Sequence, residues 1–271
     1  MTKYLRNIFA LTLSLLAASI MPTANAQTPP SEIGIVVMHG KGGNPGKYVD
    51  GLASELGQAG FQVANIEMPW SGNRHYDVDM DGAVIEITTS LDAMRAKGAK
   101  KVFVSGHSQG GLFALLYAGR RQVDGVIAIA PGGSHGSPSF RDALGSYVGK
   151  AKGMIDTGRG NETAQFADFE GSKGVYPVTA TAAIYFDWFN PDGAHNMDFV
   201  TPRVKSGTPV LYVAPSRDYP SLSKSKLANF SALPATPQTR LVEPSSDHLG
   251  SPSAASAEIV RWINHVVGQH E

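Results

Sequence analysis

Glycines frame a serine in Gly106-His107-Ser108-Gln109-Gly110, where a β-branched run, KVFVS (101–105), gives way to an Ala/Leu-rich segment. A serine hydroxyl attacks a carbonyl carbon only when a base takes its proton and an acid orients that base. Two later residues have the types and positions for those tasks. Asp218 stands just past the apolar run VLYVAP (210–215), and His248 stands past LVEP (241–244), ahead of the last amphipathic segment. The other histidines are placed less well. His107 is inside the corner itself, His135 and His195 fall in a stretch without strand–helix rhythm, and His265 and His270 lie on or after the terminal helix. Asp247 adjoins His248 and suits capping of its own turn.

The corner makes sense only if a strand enters it and a helix leaves it. Glycine on both sides of the serine relieves crowding between those two elements, and the turn then holds the hydroxyl exposed. The first amide groups of the helix favour negative charge developing at the same spot. The alternative is a serine that merely caps an ordinary strand-to-helix turn.

The rest of the chain supplies such elements in alternation. Apolar runs at 33–40, 61–69, 101–105, 125–131, 209–215 and, more weakly, 239–244 predict strands, the continuous ones buried on both faces. Helical spacing predicts helices over 47–60, 82–99, 110–120 and 253–267, the last with Ile259, Trp262, Ile263 and Val266 on one face. Strands alternating with helices give an α/β fold, a mostly parallel central sheet with helices on both faces. In open sheets of this kind ligand groups gather at the carboxyl ends of the strands, so Ser108, Asp218 and His248 should share one edge. About 70 residues, 133–206, break the rhythm with aromatic-rich segments such as AIYFDWFNPDGAHNMDF (183–199). An insertion that long is more than a plain loop and reads as a cap over a cleft or as extra scaffold. There is no internal repeat or low-complexity linker, and one domain over 27–271 is the simplest reading.

The chain has 271 residues, and its 23 Lys+Arg balance 23 Asp+Glu, which gives no electrostatic case for nucleic acid or an anionic membrane surface. It has no cysteine, which excludes disulfides, thiolate metal sites and a cysteine nucleophile. At the N-terminus, Lys3 and Arg6 precede the apolar run IFALTLSLLAASI (8–20) and then Ala24-Asn25-Ala26. That is the pattern of a signal peptide, residues 1–26, cut before Gln27, and it implies a periplasmic or secreted protein. The run falls short of the roughly 20 apolar residues a membrane span needs. DVDMDG (77–82) imitates the start of a calcium loop, but its twelfth position is Thr88 where a bidentate Glu is required. The expectation is a polar loop ending in a helix cap, with no metal and no cofactor. MPWSGNRHYD (68–77) leaves a strand on the active edge, so Trp70, Arg74 or His75 could touch substrate or could simply pack the loop.

The order Ser…Asp…His, with the serine corner after a central strand, resembles the α/β-hydrolase superfamily across the whole chain after residue 26. VVMHGKGGNPG (36–46) is similar to that superfamily's oxyanion loop. The resemblance implies backbone N–H donors at Gln109 and Lys41, with Gly42 as the alternative to Lys41, and a supporting role for His39. It implies an acyl-enzyme mechanism in which Ser108 is nucleophile, His248 base and Asp218 acid, acting on a small-molecule carboxylic ester. Amide or thioester cleavage, cofactor-free haloperoxidase or acyl-transfer chemistry uses the same parts. A periplasmic binding protein on the same fold would normally lack one of the three residues.

Overall fold

The computed structural model describes residues 28–171 and 173–268. The segment read as a signal peptide and His270 lie outside the described residues. In the first half, β1 (Ile33–Met38), α1 (Asp50–Gln58), β2 (Gln62–Ile66), α2 (Met80–Ala96), β3 (Lys101–His107), α3 (Gln109–Arg120) and β4 (Gly125–Ile129) alternate without interruption. Then come α4 (Pro138–Asp156), β5 (Thr163–Glu170), β6 (Gly174–Thr181), α5 (Ala182–Phe189) and the short α6 (Met197–Val200). The alternation resumes with β7 (Val210–Val213), α7 (Pro220–Ser231), β8 (Arg240–Val242) and α8 (Ser251–Val266).

Six strands form one parallel sheet in the order β2-β1-β3-β4-β7-β8. Every residue of β1, β4 and β7 is buried, because helices cover both faces. Alternate side chains of β1 divide between two cores. Ile35 and Val37 meet Leu52 and Leu56 of α1 and Ile259, Trp262 and Ile263 of α8. Val36 and Met38 face the core built by α2, α3 and the insertion. Burial of an isoleucine such as Ile259 or Ile263, both fully inaccessible, contributes about 1.5–3 kcal/mol.

Register places the functional loops. Met38 pairs with Gly106, so the chain leaving β1 runs beside the serine corner. Val213 pairs with Val242, and Arg217 bridges to Asp247, so the loops carrying Asp218 and His248 run alongside each other.

The insertion differs from the sequence reading in one respect. Its centre is an antiparallel hairpin, β5–β6, that forms a two-stranded sheet of its own and packs against α4 and α5. The carboxylates of DVDMDG turn to three separate partners. Asp77 pairs with Arg74, Asp81 with Arg120, and Asp79 caps α2 by accepting from Gly82 N–H at 2.7 Å.

Candidate active site

Ser108 has φ 56° and ψ −118°, a conformation that L-residues seldom adopt. Its backbone is clamped there. The N–H donates to Ile129 O at 2.8 Å, and its carbonyl accepts from the N–H groups of Gly111, Leu112 and Gly132. The flanking glycines are dictated by sterics. A Cβ on Gly106 would lie inside the Gly110 carbonyl, and one on Gly110 would lie 2.7 Å from the carbonyl oxygens of Met38 and His39. Strain of about 1–3 kcal/mol persists only when neighbours over-determine the geometry, as they do here. The result is selective exposure: from Val102 to Ala118, Ser108 is the one residue not buried.

His248 Nδ1–H donates to Asp218 Oδ1 at 2.7 Å, and the two side chains are only 6% and 4% exposed. The same carboxylate oxygen accepts the Tyr219 N–H at 2.7 Å. The imidazole is held on both sides, by the Tyr219 ring stacked 4.3 Å away and the His107 ring at 4.8 Å. His107 Nε2–H and the Ser251 hydroxyl both donate to the His248 carbonyl, at 2.9 and 2.8 Å. Burial pushes the His107 pKa down to about 3, so it serves this contact as a neutral ring. With Nδ1 engaged, His248 lines a cleft of about 1060 Å³ that Ser108, Lys41 and Gln109 also line.

The loop after β1 is tied down through its carbonyls. His39 is fully buried, with Nδ1–H donating to Gly40 O at 2.8 Å and Nε2 accepting from Met68 N–H at 3.0 Å. Trp70 Nε1–H donates to His39 O, and Trp70 O accepts the Gly42 N–H, both at 2.9 Å. The Gly42 amide is therefore engaged. Among the described residues the Lys41 and Gln109 amides have no protein acceptor.

The Lys41 side chain leads to a second buried carboxylate. Its Nζ lies 2.5 Å from Asp168 Oδ1, with Phe169 O at 3.3 Å and His135 Nε2 at 3.4 Å. His135 Nδ1–H donates to Trp188 O, which leaves Nε2 as an acceptor for the ammonium. Asp168, on β5, is fully buried and also accepts from Phe169 N–H at 2.6 Å, Tyr76 OH at 2.7 Å and Tyr176 OH at 2.9 Å. Burial lowers the Lys41 pKa, and the Asp168 charge opposes that shift. The only sequence signal for this pair was an aspartate set between apolar neighbours in FADFE (166–170).

A parallel sheet carries a strained serine corner after its third strand in sequence, and a carboxylate-backed histidine faces the same cleft. A family model described as serine aminopeptidase, S33, matches residues 29–159. The chain has the fold of the α/β hydrolases. No curated protein matches it. Among solved structures, one of the metagenome-derived lipolytic enzymes LipS and LipT superposes with a TM-score of 0.60 at 18% identity, covering 90% of this chain and 96% of that one. A monoacylglycerol lipase from Paleococcus ferrophilus gives 0.58 at 22% identity, covering 88% and 95%. The α/β hydrolase GrgF from Penicillium sp. sh18 gives 0.65 at 14%, covering 90% and 92%. At these identities the likeness is one of fold.

Three residues expected at the substrate are elsewhere in the molecule. Trp70 is 2% exposed, its ring packed against Phe113 and Trp188 at 5.2 and 5.8 Å. It clasps the loop after β1 and does not line the cleft. Arg74 is engaged by Glu86 at 2.6 and 2.8 Å, by Asp77 and by Glu67 O, and its pKa is raised chiefly by the Glu86 contact. His75 is exposed, with φ 50°, and is not among the residues around the cleft. Trp70 and Arg74 share a reason: after β2 the chain bends back toward the β1 loop and α2, and their donors are used there.

Proposed function

We propose that this α/β hydrolase is an exported serine hydrolase that cleaves carboxylic esters through an acyl-enzyme. One observation carries the reading. From Val102 to Ala118 Ser108 alone is not buried, and it borders the same cleft as a histidine whose far nitrogen is engaged by Asp218. In this mechanism Ser108 Oγ attacks the ester carbonyl while His248 Nε2 accepts its proton. Asp218 holds the Nδ1–H tautomer and stabilises the imidazolium that forms. The tetrahedral oxyanion accepts from the Lys41 and Gln109 N–H groups, and one such donor is worth about 10²–10³-fold in rate. Collapse transfers the proton from His248 to the leaving alcohol, and a water, activated by the same histidine, releases the acid. Phe140, Phe169, Met197, Phe199 and Leu222 border the cleft, which favours an apolar acyl or aryl group.

A fluorophosphonate probe should label the peptide that contains Ser108, and Ser108→Ala should lose about 10⁴-fold or more of aryl-ester hydrolysis while staying folded. Retention of activity within about tenfold would remove the serine mechanism. Export is supported by the basic, apolar and Ala-Asn-Ala pattern of residues 1–26. N-terminal sequencing of the periplasmic or culture-fluid protein should read from Gln27, and an intact Met1 there would count against cleavage.

A further inference from the structure

We propose that Asp168, contributed by the insertion, is a positioning residue for both halves of the oxyanion hole. The proposal rests on the serine-hydrolase reading above. The two amides assigned to the oxyanion belong to Lys41 and Gln109, and among the described residues neither has an acceptor of its own. Their side chains hold them instead, and both lead to the same carboxylate. Lys41 reaches it directly, Nζ to Oδ1 at 2.5 Å. Gln109 reaches it through one intermediary: its Nε2–H donates to Tyr76 Oη at 3.4 Å, and the Tyr76 O–H donates to Asp168 Oδ2 at 2.7 Å. A carboxylate only accepts, so the proton directions along this path are fixed.

The alternative tasks for Lys41 are closed off by its valence. An ammonium has three N–H donors, and three acceptors stand around this one: Asp168, Phe169 O and His135 Nε2. Its side chain is 7% exposed, and none of its donors is left over for a substrate. Asp168 in turn accepts from four groups, including two tyrosines and its neighbour's N–H. Lys41, Tyr76 and Asp168 are paired at every side-chain polar atom. Gln109 joins them through its amide nitrogen, its Oε1 having no partner among the described residues. A buried network paired in this way is rigid, and rigidity is what donors aimed at a developing charge require. Tyr76 is held at φ 59°, an uncommon conformation for a bulky residue, by a 2.7 Å hydrogen bond from its N–H to Pro69 O. That local cost places its hydroxyl between the insertion and the elbow.

The two tyrosines provide the test, because they donate to the same oxygen of Asp168 and only Tyr76 also touches Gln109. We would measure kcat and KM on an aryl ester, together with the Ki of phenylboronic acid, which adds to the serine as a tetrahedral adduct. Asp168→Asn is expected to lower kcat by about 10–100-fold, with KM changed less than about threefold, and to weaken the boronate by the same factor as kcat. Tyr76→Phe should lower kcat by about three- to tenfold, and Tyr176→Phe by less than about twofold. Equal losses in the two tyrosine variants would mean a merely structural network and overturn the proposal. So would a folded Asp168→Asn enzyme with unchanged kcat. If Asp168→Asn fails to fold, the tyrosine pair decides alone. A wild-type protein that fluorophosphonate does not label overturns the serine mechanism itself, whereas a labelled wild type with indifferent Asp168 and Tyr76 variants overturns only the positioning role.

Discussion

Two buried carboxylates stand near one cleft, and their partners differ in what is left unused. Asp218 comes from the loop after β7 and engages one nitrogen of an imidazole whose ring borders the cleft. Asp168 comes from the hairpin of the insertion and meets an ammonium whose three donors all have acceptors. Both pairs are shielded from water, and removing one member of such a pair leaves an uncompensated charge or an unpaired donor. The difference is one of spare valence. A histidine has a second nitrogen with which to exchange a proton, whereas a saturated lysine can only hold its place. Burial and short distance alone would have ranked the Lys41 pair above the His248 pair as machinery; counting donors reverses the ranking.

The largest effect should come from removing the nitrogen that exchanges the proton. His248→Ala is expected to cost about 10⁴-fold in kcat, close to the loss for Ser108→Ala, because these groups act as a unit. Asp218→Asn keeps the size but favours the wrong tautomer, and steady-state kinetics should show about 10²–10⁴-fold, mainly in kcat. A loss under tenfold there would erase the distinction drawn between the two carboxylates.

The histidines without a carboxylate partner sharpen the contrast through stability. Burial holds His107 at about 3 against an ordinary 6.5, and it also lowers His39, His135 and His195. Unfolding lets each of these rings take up a proton that the folded state refuses, so stability rises with pH in this window. For His107 the contribution is complete above pH 6.5 and is lost as pH falls toward 3. Each such histidine gives a slope of about 1.4 kcal/mol per pH unit. The melting temperature should therefore drop progressively below pH 6.5, and His107→Gln should flatten that drop; a Tm constant from pH 7 to 4 would contradict it.

The smallest effect belongs to the aspartate next to His248. Asp247 Oδ1 accepts the Gly250 N–H at 2.8 Å and caps that turn. Asp247→Asn should cost less than about tenfold in kcat/KM. If it proves more damaging than Asp218→Asn, the acid has been assigned to the wrong loop.

The parallel sheet was legible because strands covered on both faces read as unbroken apolar runs, as IGIVVM (33–38) and GVIAI (125–129) do. The Ser108 corner was legible because its signature is local: strand, two glycines and helix lie within a few residues, although Met38, His39, Ile129 and Gly132 complete the clamp. The hairpin was not. Its strands, TAQFADFE and GVYPVTAT, carry exposed polar positions, and Gly174 has a positive φ at its turn. Without a partner in view they resemble loop. Helix α7 was missed for a related reason, since it buries little and its apolar residues are sparse. Trp70, Arg74 and His75 were placed at the substrate because they leave a strand on the active edge. Nothing local to those residues reveals that His39 O, Glu86 and the solvent are their actual neighbours. Asp168 escaped because its meaning lies in Lys41, 127 positions earlier.

That separation has a consequence for the order in which the molecule assembles. The entropy of closing a loop grows only slowly with its length, so distance along the chain is a modest burden. An ammonium enclosed before its counter-ion arrives is a heavy one. The backbone contacts that clamp Ser108 all fall between Met38 and Gly132 and can form while the second half of the chain is still unsettled. The Lys41 ammonium, on a loop otherwise tied to Met68 and Trp70, meets its counter-ion only when the hairpin docks. A chain with only its first half folded would therefore carry the serine corner beside a lysine that still lacks its counter-ion.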